Sequence, residues 1–353
     1  MVGAALKGCP FLKAGKMKNI LGAAVFASCF FGYGQDFRLA KEIQVPGNEG
    51  WDYLSVNEPA QQLLVSHGSV VNVIDLKTCK TIATIPDTNG VHGIAIANDL
   101  NKAFITDGKD NAVTIVNLTT FALIEKLKID GQKPDAVLYD PFSHQVFVYN
   151  GKSQDATVID ARTNKITETI PLGGKPEFSV SNTNGLVYVN IEDKNEIKVI
   201  DTKTLKVIHA WSIAPGDEPS GLAIDNVTKR LFSVCGNKLM VVTDAETGKI
   251  IKTLPIGDGC DGVAFDAKKK LIFSSNGEGT VTVIKETDAN TFSVLQTVTT
   301  KKGARTIALN KTTGQLYLPT ASFGPPSAAT TENPHPRPAI VPDSFEVLFV
   351  QQP

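Results

Sequence analysis

The segment Trp51-Asp52-Tyr53-Leu54-Ser55-Val56 recurs with variations seven times along the chain. The other copies begin at Val91, Pro134, Pro176, Pro219, Cys260 and Ala304. The second residue of each copy is polar, and successive second residues stand 40 to 44 residues apart. A period of this length indicates a repeat architecture in which each copy is one supersecondary unit.

Each repeat contains four short runs rich in β-branched and aromatic residues, separated by Gly, Asn, Asp and Pro. In the fifth repeat these runs are residues 221–224, 230–235, 238–243 and 250–255. Four strands in about 42 residues is the count for a propeller blade, and the 3.6-residue periodicity of helical repeats is absent. The sequence therefore predicts an all-β, seven-bladed β-propeller with four-stranded antiparallel blades.

A turn beginning with aspartate follows the third run in several repeats. Asp75, Asp160, Asp201 and Asp244 each stand three residues before a threonine. An aspartate there can accept hydrogen bonds from the backbone amides of the turn. We interpret these carboxylates as structural and exclude them from any functional site.

The two ends of the chain supply the argument for ring closure. The seventh repeat has a first strand at 305–309, a second at 315–318 and a late third at 344–350, and then it stops. Residues 37–45 have the pattern of the fourth strands elsewhere. Pairing this N-terminal strand with the C-terminal blade would remove the open edges at the junction.

The motif Val187-Tyr188-Val189-Asn190, followed by Ile197-Lys198-Val199-Ile200-Asp201 and Thr204, resembles the YVTN-type β-propeller repeat. Variants in the neighbouring repeats extend the resemblance over residues 37–351. The resemblance implies a propeller of the WD40/YVTN-like kind. Similar propellers include surface proteins, binding proteins and a few enzymes, so the family leaves the function open.

The first 34 residues are predicted to be a signal peptide rather than part of the domain at 35–353. Four lysines precede an apolar run at 20–31, and Gly32-Tyr33-Gly34 predicts cleavage before Gln35. A membrane anchor is the alternative, but the run is shorter than the ~20 residues that span a bilayer. Met17 is an alternative start and Cys29 an alternative lipid anchor. We expect an exported, periplasmic or extracellular bacterial protein, monomeric and without a transmembrane segment after cleavage.

Composition excludes several partners and a disulfide framework. The 35 basic and 36 acidic residues give a net charge of -1, so no overall field attracts nucleic acid, and we expect no nucleic-acid partner. After cleavage Cys79, Cys235 and Cys260 remain, an odd number without metal-type spacing. Cys235 and Cys260 are predicted to lie near one another, as a disulfide or as two buried thiols.

The start of strand one and the end of strand two lie at the same face of a propeller. This geometry predicts two concentric rings of residues around the channel mouth. The inner ring is Asp52, His92, Asp135, Glu177, Ser220, Asp261 and Arg305. The second ring is His67, Asp107, Asn150, Asn190, Cys235, Asn276 and Thr320.

The inner ring carries a surplus of negative charge. Its four carboxylates face one arginine and one neutral histidine, which leaves a local charge of about -3 that a cation, a proton or a ligand would offset. We predict ligand binding at this mouth, with a divalent metal ion as one candidate. Its ligands would be His92, Asp52, Asp135, Glu177 and Asp261, because imidazole and carboxylate suit zinc, manganese or iron, and carboxylates alone suit calcium. For the second ring, hydrogen bonding to free backbone groups is the competing explanation.

An insertion at 321–343 separates the second and third strands of blade seven. It contains six prolines, including those of Asn333-Pro334-His335-Pro336-Arg337-Pro338. Proline stiffens such a segment, so a semi-rigid flap would bring His335 and Arg337 over the channel mouth. A peripheral loop is the alternative.

The sequence is compatible with three functions. The first is a module that binds a small molecule or cation at the acid-rich mouth. The second is a metal-assisted hydrolase or lyase that uses the same residues, with Arg305 or Arg337 holding an anionic substrate and His67 or His335 as acid or base. The third is a surface interaction or scaffold protein. The residues do not decide whether the protein is an enzyme.

Overall fold

The computed structural model describes residues 36–325 and 338–353 of the chain. These residues form 28 strands in seven four-stranded antiparallel sheets, with single 3-10 turns at Asn98–Leu100 and Glu192–Lys194. The sheets are the seven predicted blades. The predictions of an all-β fold and of the blade number are confirmed.

The first four blades use strands that are consecutive in the sequence. They are β2–β5 (Trp51–Asn57, Gln62–His67, Val70–Asp75, Lys80–Ile85), β6–β9 (Val91–Ala97, Lys102–Asp107, Ala112–Asn117, Leu123–Lys128), β10–β13 (Pro134–Asp140, Gln145–Asn150, Asp155–Asp160, Lys165–Pro171) and β14–β17 (Pro176–Ser181, Leu186–Ile191, Glu196–Asp201, Lys206–Ser212).

The last three blades complete the ring. They are β18–β21 (Pro219–Asp225, Arg230–Cys235, Leu239–Asp244, Ile250–Pro255), β22–β25 (Cys260–Asp266, Leu271–Asn276, Thr280–Asp288, Thr291–Thr299) and β26–β28 (Ala308–Asn310, Gln315–Thr320, Glu346–Gln351) with β1 (Arg38–Gln44). In the seventh blade β26 is shorter than the predicted 305–309. The chain turns at Lys301–Arg305, where the Arg305 amide bonds to the carbonyl of Gly303, and it joins the ladder only at Ala308.

The ring closes through the N-terminal strand, as predicted. The seventh sheet has the order β1-β28-β27-β26, and β1 pairs antiparallel with β28 from Arg38 opposite Gln351 to Gln44 opposite Glu346. The innermost strands contact one another in chain order, and β2 of blade one contacts β26 of blade seven. No sheet edge is therefore left open at the junction.

The hydrophobic core lies between neighbouring blades rather than inside one sheet. At the closure, Phe37 packs edge-on against Phe273 of blade six with ring centroids 5.0 Å apart. Trp51 of blade one stacks on Phe345, which precedes β28, at 5.5 Å. Trp51 is thus a packing residue rather than part of the channel lining.

Two features of the innermost strands position the residues at the mouth. Six of these strands have a register irregularity at the start, such as the one between Trp51 and Leu54, and a bulge of this kind re-aims the neighbouring side chains. The strands also approach closely. A Cβ on Gly93 would lie 2.7 Å from the carbonyl oxygen of Asp135, so the position next to His92 excludes a side chain.

The turn aspartates have the predicted structural role. Asp75 Oδ1 accepts hydrogen bonds from the Thr78 amide at 2.6 Å and the Lys77 amide at 3.1 Å. These bonds, with Thr78 contributing most, hold the pKa of Asp75 below its usual value. Asp160, Asp201 and Asp244 make the same contacts.

Candidate functional site at one mouth of the channel

The structure brings six of the seven inner-ring residues into one chain of contacts. His92 Nδ1 lies 2.6 Å from Asp52 Oδ2 and 3.5 Å from Asp135 Oδ1. On the other side of Asp52, Arg305 Nη2 lies 3.4 Å from its Oδ1, and Arg305 Nε donates to Asp261 Oδ2 at 2.7 Å. Ser220 Oγ donates to Asp261 Oδ1 at 2.5 Å and ends the chain.

Glu177, the seventh member, is held by a lysine that the sequence analysis did not include. Lys175 Nζ lies 2.8 Å from Glu177 Oε1 and also pairs with Glu192. A sequence signal for it exists, because Lys-Pro followed by an acid occurs both at 133–135 and at 175–177. Lys175 offsets the charge of Glu177, but Glu192 joins the same cluster, so the two added residues leave the net charge of the mouth unchanged.

Burial and mutual repulsion raise the pKa values of three carboxyl groups of the mouth. Burial, opposed by His92 and reinforced by Asp52, raises the pKa of Asp135 to about 6. Burial and the charge of Asp135 raise the pKa of Glu177 to about 8, although Lys175 opposes this. Burial and Asp52 also raise the pKa of Asp261, against the effect of Arg305.

The pKa of His92 is raised as well, although burial opposes this shift rather than causing it. Burial lowers the pKa of His92, but the hydrogen bond to Asp52 and the charge of Asp135 outweigh burial, so its pKa is raised. A positive charge on His92 is therefore stabilised by the neighbouring carboxylates of Asp52 and Asp135. A bound cation would have to displace protons there.

Hydroxyl groups near the end of strand two hold the backbone of the inner ring. Ser66 Oγ accepts from the Asp52 amide at 2.9 Å, and Thr106 Oγ1 donates to the Asp135 carbonyl at 2.6 Å. Thr306, two residues before β26, donates to the Asp52 carbonyl at 2.5 Å. These positioning residues were not predictable from the sequence, since isolated Ser and Thr residues give no distinctive signal.

Two aromatic rings meet across the channel beneath the acids. Tyr53 of blade one and Phe178 of blade four have ring centroids 4.5 Å apart, and both line a cavity of about 140 Å³. Burial raises the pKa of Tyr53, and the charges of Asp135 and Glu177 raise it further. We call this pair the aromatic plug, because rings from blades one and four meet across the channel.

The second ring lies inside the blades and not in the mouth. Asn150 Nδ2 and Asn276 Nδ2 each donate at 3.0 Å to a threonine of strand three, and Asp107 Oδ2 accepts from Thr114 at 2.6 Å. His67 faces Asn72 at 3.1 Å and lies on Phe345 with ring centroids 4.1 Å apart. The structure does not bring these side chains together with the inner-ring side chains.

The other three members of the second ring are also buried. Asn190 Nδ2 donates to the Ser220 carbonyl at 2.9 Å, and Thr320 Oγ1 donates to the Lys302 carbonyl at 2.8 Å. Cys235 and Cys260 are both buried free thiols, and Cys260 Sγ lies 3.1 Å from the Cys235 carbonyl oxygen. The second ring therefore satisfies backbone and strand-three groups, which was the competing explanation for its polarity.

The described ends of the insertion form a paired stem beside Trp51. Phe323 and Ile340 form an isolated antiparallel bridge, and the Gly324 amide bonds to the Ala339 carbonyl at 2.8 Å. Phe323 packs against Trp51 with ring centroids 5.9 Å apart. His335 and Arg337 lie outside the described residues, so their predicted position over the mouth stays a prediction.

Three inner-ring residues could hold a metal ion together. Ligand atoms of Asp52, His92 and Asp135 all lie within 4.8 Å of one another. Glu177 and Asp261 are also predicted metal ligands, but Lys175 and Arg305 respectively occupy their carboxylates. A metal at this trio would replace the proton on His92 Nδ1.

Fold and site together define a seven-bladed β-propeller with a charged network at one mouth of its channel. The chain matches no protein-family model. It is 24% identical over 172 residues to the protein YncE, described as uncharacterized, of Salmonella typhi, covering 48% of each chain. It is 23% identical over 228 residues to antigen Lp49 of Leptospira interrogans, covering 58% of this chain and 48% of Lp49. The matches span about half the length of these curated relatives.

A solved structure supports the same fold. A chain of the hydrazine synthase of Kuenenia stuttgartiensis superimposes with a TM-score of 0.68 at 16% identity, covering 78% of this chain and 94% of that chain. At this identity the likeness concerns the fold alone. The weak relatives and the seven blades together support a YncE-like propeller family, as the YVTN-type resemblance predicted. Among the described residues, no helix has the length and apolar character needed to cross a bilayer.

Proposed function

We propose that this protein is an exported binding protein whose acid-rich mouth binds a small cation, with a divalent metal ion at Asp52, His92 and Asp135. The observation that carries the proposal is the convergence of two carboxylates and an imidazole within 4.8 Å. This donor set suits zinc, manganese or iron(II). No covalent step is part of the proposal.

Charge within the mouth favours this side of the ring over the opposite one. Arg305 bonds Asp261 at 2.7 Å but approaches only Oδ1 of Asp52, at 3.4 Å, so a cation beside Asp261 would face the guanidinium more closely than one at Asp52 Oδ2. Lys175 similarly neutralises Glu177. The Asp135 carboxylate has no lysine or arginine within ion-pair distance among the described residues, and burial, with the charge of Asp52, raises its pKa.

Metal titration of the purified mature protein tests the proposal. We expect one Zn²⁺ or Mn²⁺ per chain by calorimetry and elemental analysis, and loss of affinity by roughly a hundredfold in Asp135→Asn and in His92→Ala. Affinity should rise with pH through about 6, because Asp135 and His92 must release protons to bind the ion.

Asp258→Asn is the matched control for this titration. Asp258 is an exposed carboxylate that pairs with Lys238 at 3.0 Å, outside the inner ring, so its loss should leave metal affinity unchanged. Absence of stoichiometric metal, or equal affinity in Asp135→Asn and Asp258→Asn, would refute the metal site.

Export and the flap belong to the same proposal. The leader at 1–34 lies outside the described residues, and we expect N-terminal sequencing of the exported protein to begin at Gln35. A product that retains Met1 or Met17 would contradict cleavage there. The stem that Phe323 anchors on Trp51 supports the hypothesis that His335 and Arg337 lie over the mouth.

A further inference from the structure

The end of the channel opposite the acid-rich mouth contains a large apolar cavity. Its volume is about 1040 Å³, which reaches the upper end of the range typical of small-molecule sites. Its walls come from the second halves of the innermost strands of blades two to seven, and several of these strands contribute more than one apolar side chain. The apolar wall residues include Ile96, Leu138, Val180, Ile224, Phe265 and Leu309. We call this space the apolar funnel.

The apolar funnel shares no lining residue with the candidate cation site. Tyr53 and Phe178 meet at 4.5 Å across the axis and line the smaller cavity, but neither ring lines the funnel. A molecule in the funnel would therefore not touch the inner-ring carboxylates. The two ends of the channel are separate sites with opposite chemistry.

The acids around the apolar funnel already have partners. Asp99 accepts a hydrogen bond from the Tyr139 hydroxyl at 2.8 Å. Asp225 pairs with Lys270 and accepts from Thr228 at 2.8 Å. Asp266 Oδ1 accepts from the Lys268 amide at 2.9 Å and the Lys269 amide at 3.1 Å. Lys270 offsets the charge of Asp225, whereas Asp99 and Asp266 keep their negative charges and direct them into hydrogen bonds with Tyr139 and with the loop after β22.

Two lysines of the funnel, in contrast, have free ammonium groups. Lys268 follows β22 and Lys311 follows β26, and both line the cavity. Within the described residues, neither Nζ has a hydrogen bond, an ion pair or an aromatic ring as partner. Val227, on the equivalent loop of blade five, also lines the cavity and is 79% exposed. The funnel therefore joins an apolar wall to an unpaired cationic sector.

We propose that the apolar funnel binds an amphipathic organic anion, with its apolar body against the innermost strands and its carboxylate at Lys268 and Lys311. Burial of the apolar body supplies most of the affinity, since the walls are hydrocarbon. The lysines supply the preference for negative charge. An ammonium group attracts a partly desolvated anion more strongly than it attracts a fully hydrated anion. The proposal does not depend on the cation site at the other mouth.

Three probes with the same twelve-carbon chain test the proposal on the mature protein, each below its micellar concentration. They are dodecanoate, dodecan-1-ol and dodecyltrimethylammonium. We expect dodecanoate to bind with one-to-one stoichiometry by calorimetry, at least about tenfold more tightly than dodecyltrimethylammonium. Lack of dodecanoate binding, or equal affinity for the anion and the cation, would overturn the proposal.

Charge reversal distinguishes the contribution of the two lysines to binding from the contribution of the apolar wall. Lys268→Glu/Lys311→Glu should weaken dodecanoate binding at least about tenfold and leave dodecan-1-ol binding unchanged. The matched control is Lys165→Glu/Lys252→Glu, which makes the same charge change on the exposed outer strands β13 and β21. Equal loss of dodecanoate affinity in both double variants would show a general charge effect and refute the lysine site.

A blocking variant tests the location directly. Ala264 lines the funnel, and Ala264→Trp should fill part of it and weaken all three probes, with the fold checked by circular dichroism. Asp135→Asn at the opposite mouth should leave dodecanoate binding unchanged. A folded Ala264→Trp protein that binds dodecanoate with undiminished affinity would place the ligand elsewhere and refute the proposal.

Discussion

Arg305→Met is expected to lower the free energy of unfolding by about 3 kcal/mol, because it leaves two carboxylates of the mouth without their cation. Arg305 bonds Asp261 at 2.7 Å and approaches Asp52 at 3.4 Å. Arg305 and Asp52 are 253 residues apart in the sequence. The methionine side chain keeps most of the apolar stem of the arginine, so the loss of stability measures the effect of removing the positive charge. Both partners are partly exposed, which places the effect at the lower end of the range for buried pairs. Urea unfolding followed by fluorescence measures it.

A double-mutant cycle with Asp261 shows whether the pair causes this loss. Arg305→Met/Asp261→Asn should recover more than half of the lost stability, since the second change removes the uncompensated charge. Arg162→Met, in an exposed turn, is the matched control and should change stability by less than about 0.5 kcal/mol. Wild-type stability in Arg305→Met, or a double variant no more stable than the single one, would contradict the argument.

The contribution of Glu177 to the stability of the fold should fall as pH rises from about 4.5 to about 8. In the folded protein burial and Asp135 raise its pKa from 4.5 to about 8, so between these values the folded state retains a proton that the unfolded chain has released. The stabilising contribution of Glu177 is therefore greatest at the acidic end of this window and is lost as pH approaches 8. Each pH unit inside the window costs about 1.4 kcal/mol for one such group.

Glu177→Gln isolates this contribution, because the amide does not titrate. The stability of the wild type relative to Glu177→Gln should decline through the window and become constant above pH 8. Glu168→Gln, at an exposed position of β13, should instead parallel the wild type at every pH. Parallel curves for the wild type and Glu177→Gln would show that the Glu177 carboxyl has an ordinary pKa in the folded protein.

The membership of the inner ring was predictable from the sequence, but the contacts between its side chains and their partners were not. The seven polar second residues were visible because the repeat aligns them, and the antiparallel return of strand two indicated which face they share. Their partners were not visible. Lys175 stands outside the repeated segment, and its pairing with Glu177 and Glu192 depends on how the loop before β14 folds. The second ring shares the polarity of the first but lies inside the blades, where Asn150 and Asn276 bond to strand three.

The sequence by itself determined the number of blades, the four strands of each and the closure by residues 37–45, since these follow from local alternation, turn residues and a period that repeats along the chain. Only the tertiary structure decided which side chains meet. Arg305 reaches Asp52 and Tyr53 meets Phe178 because the ring closes and the axis is narrow. The apolar funnel also depends on closure, because its wall residues come from six different blades. No local pattern encodes a contact that exists only when seven units surround a common axis.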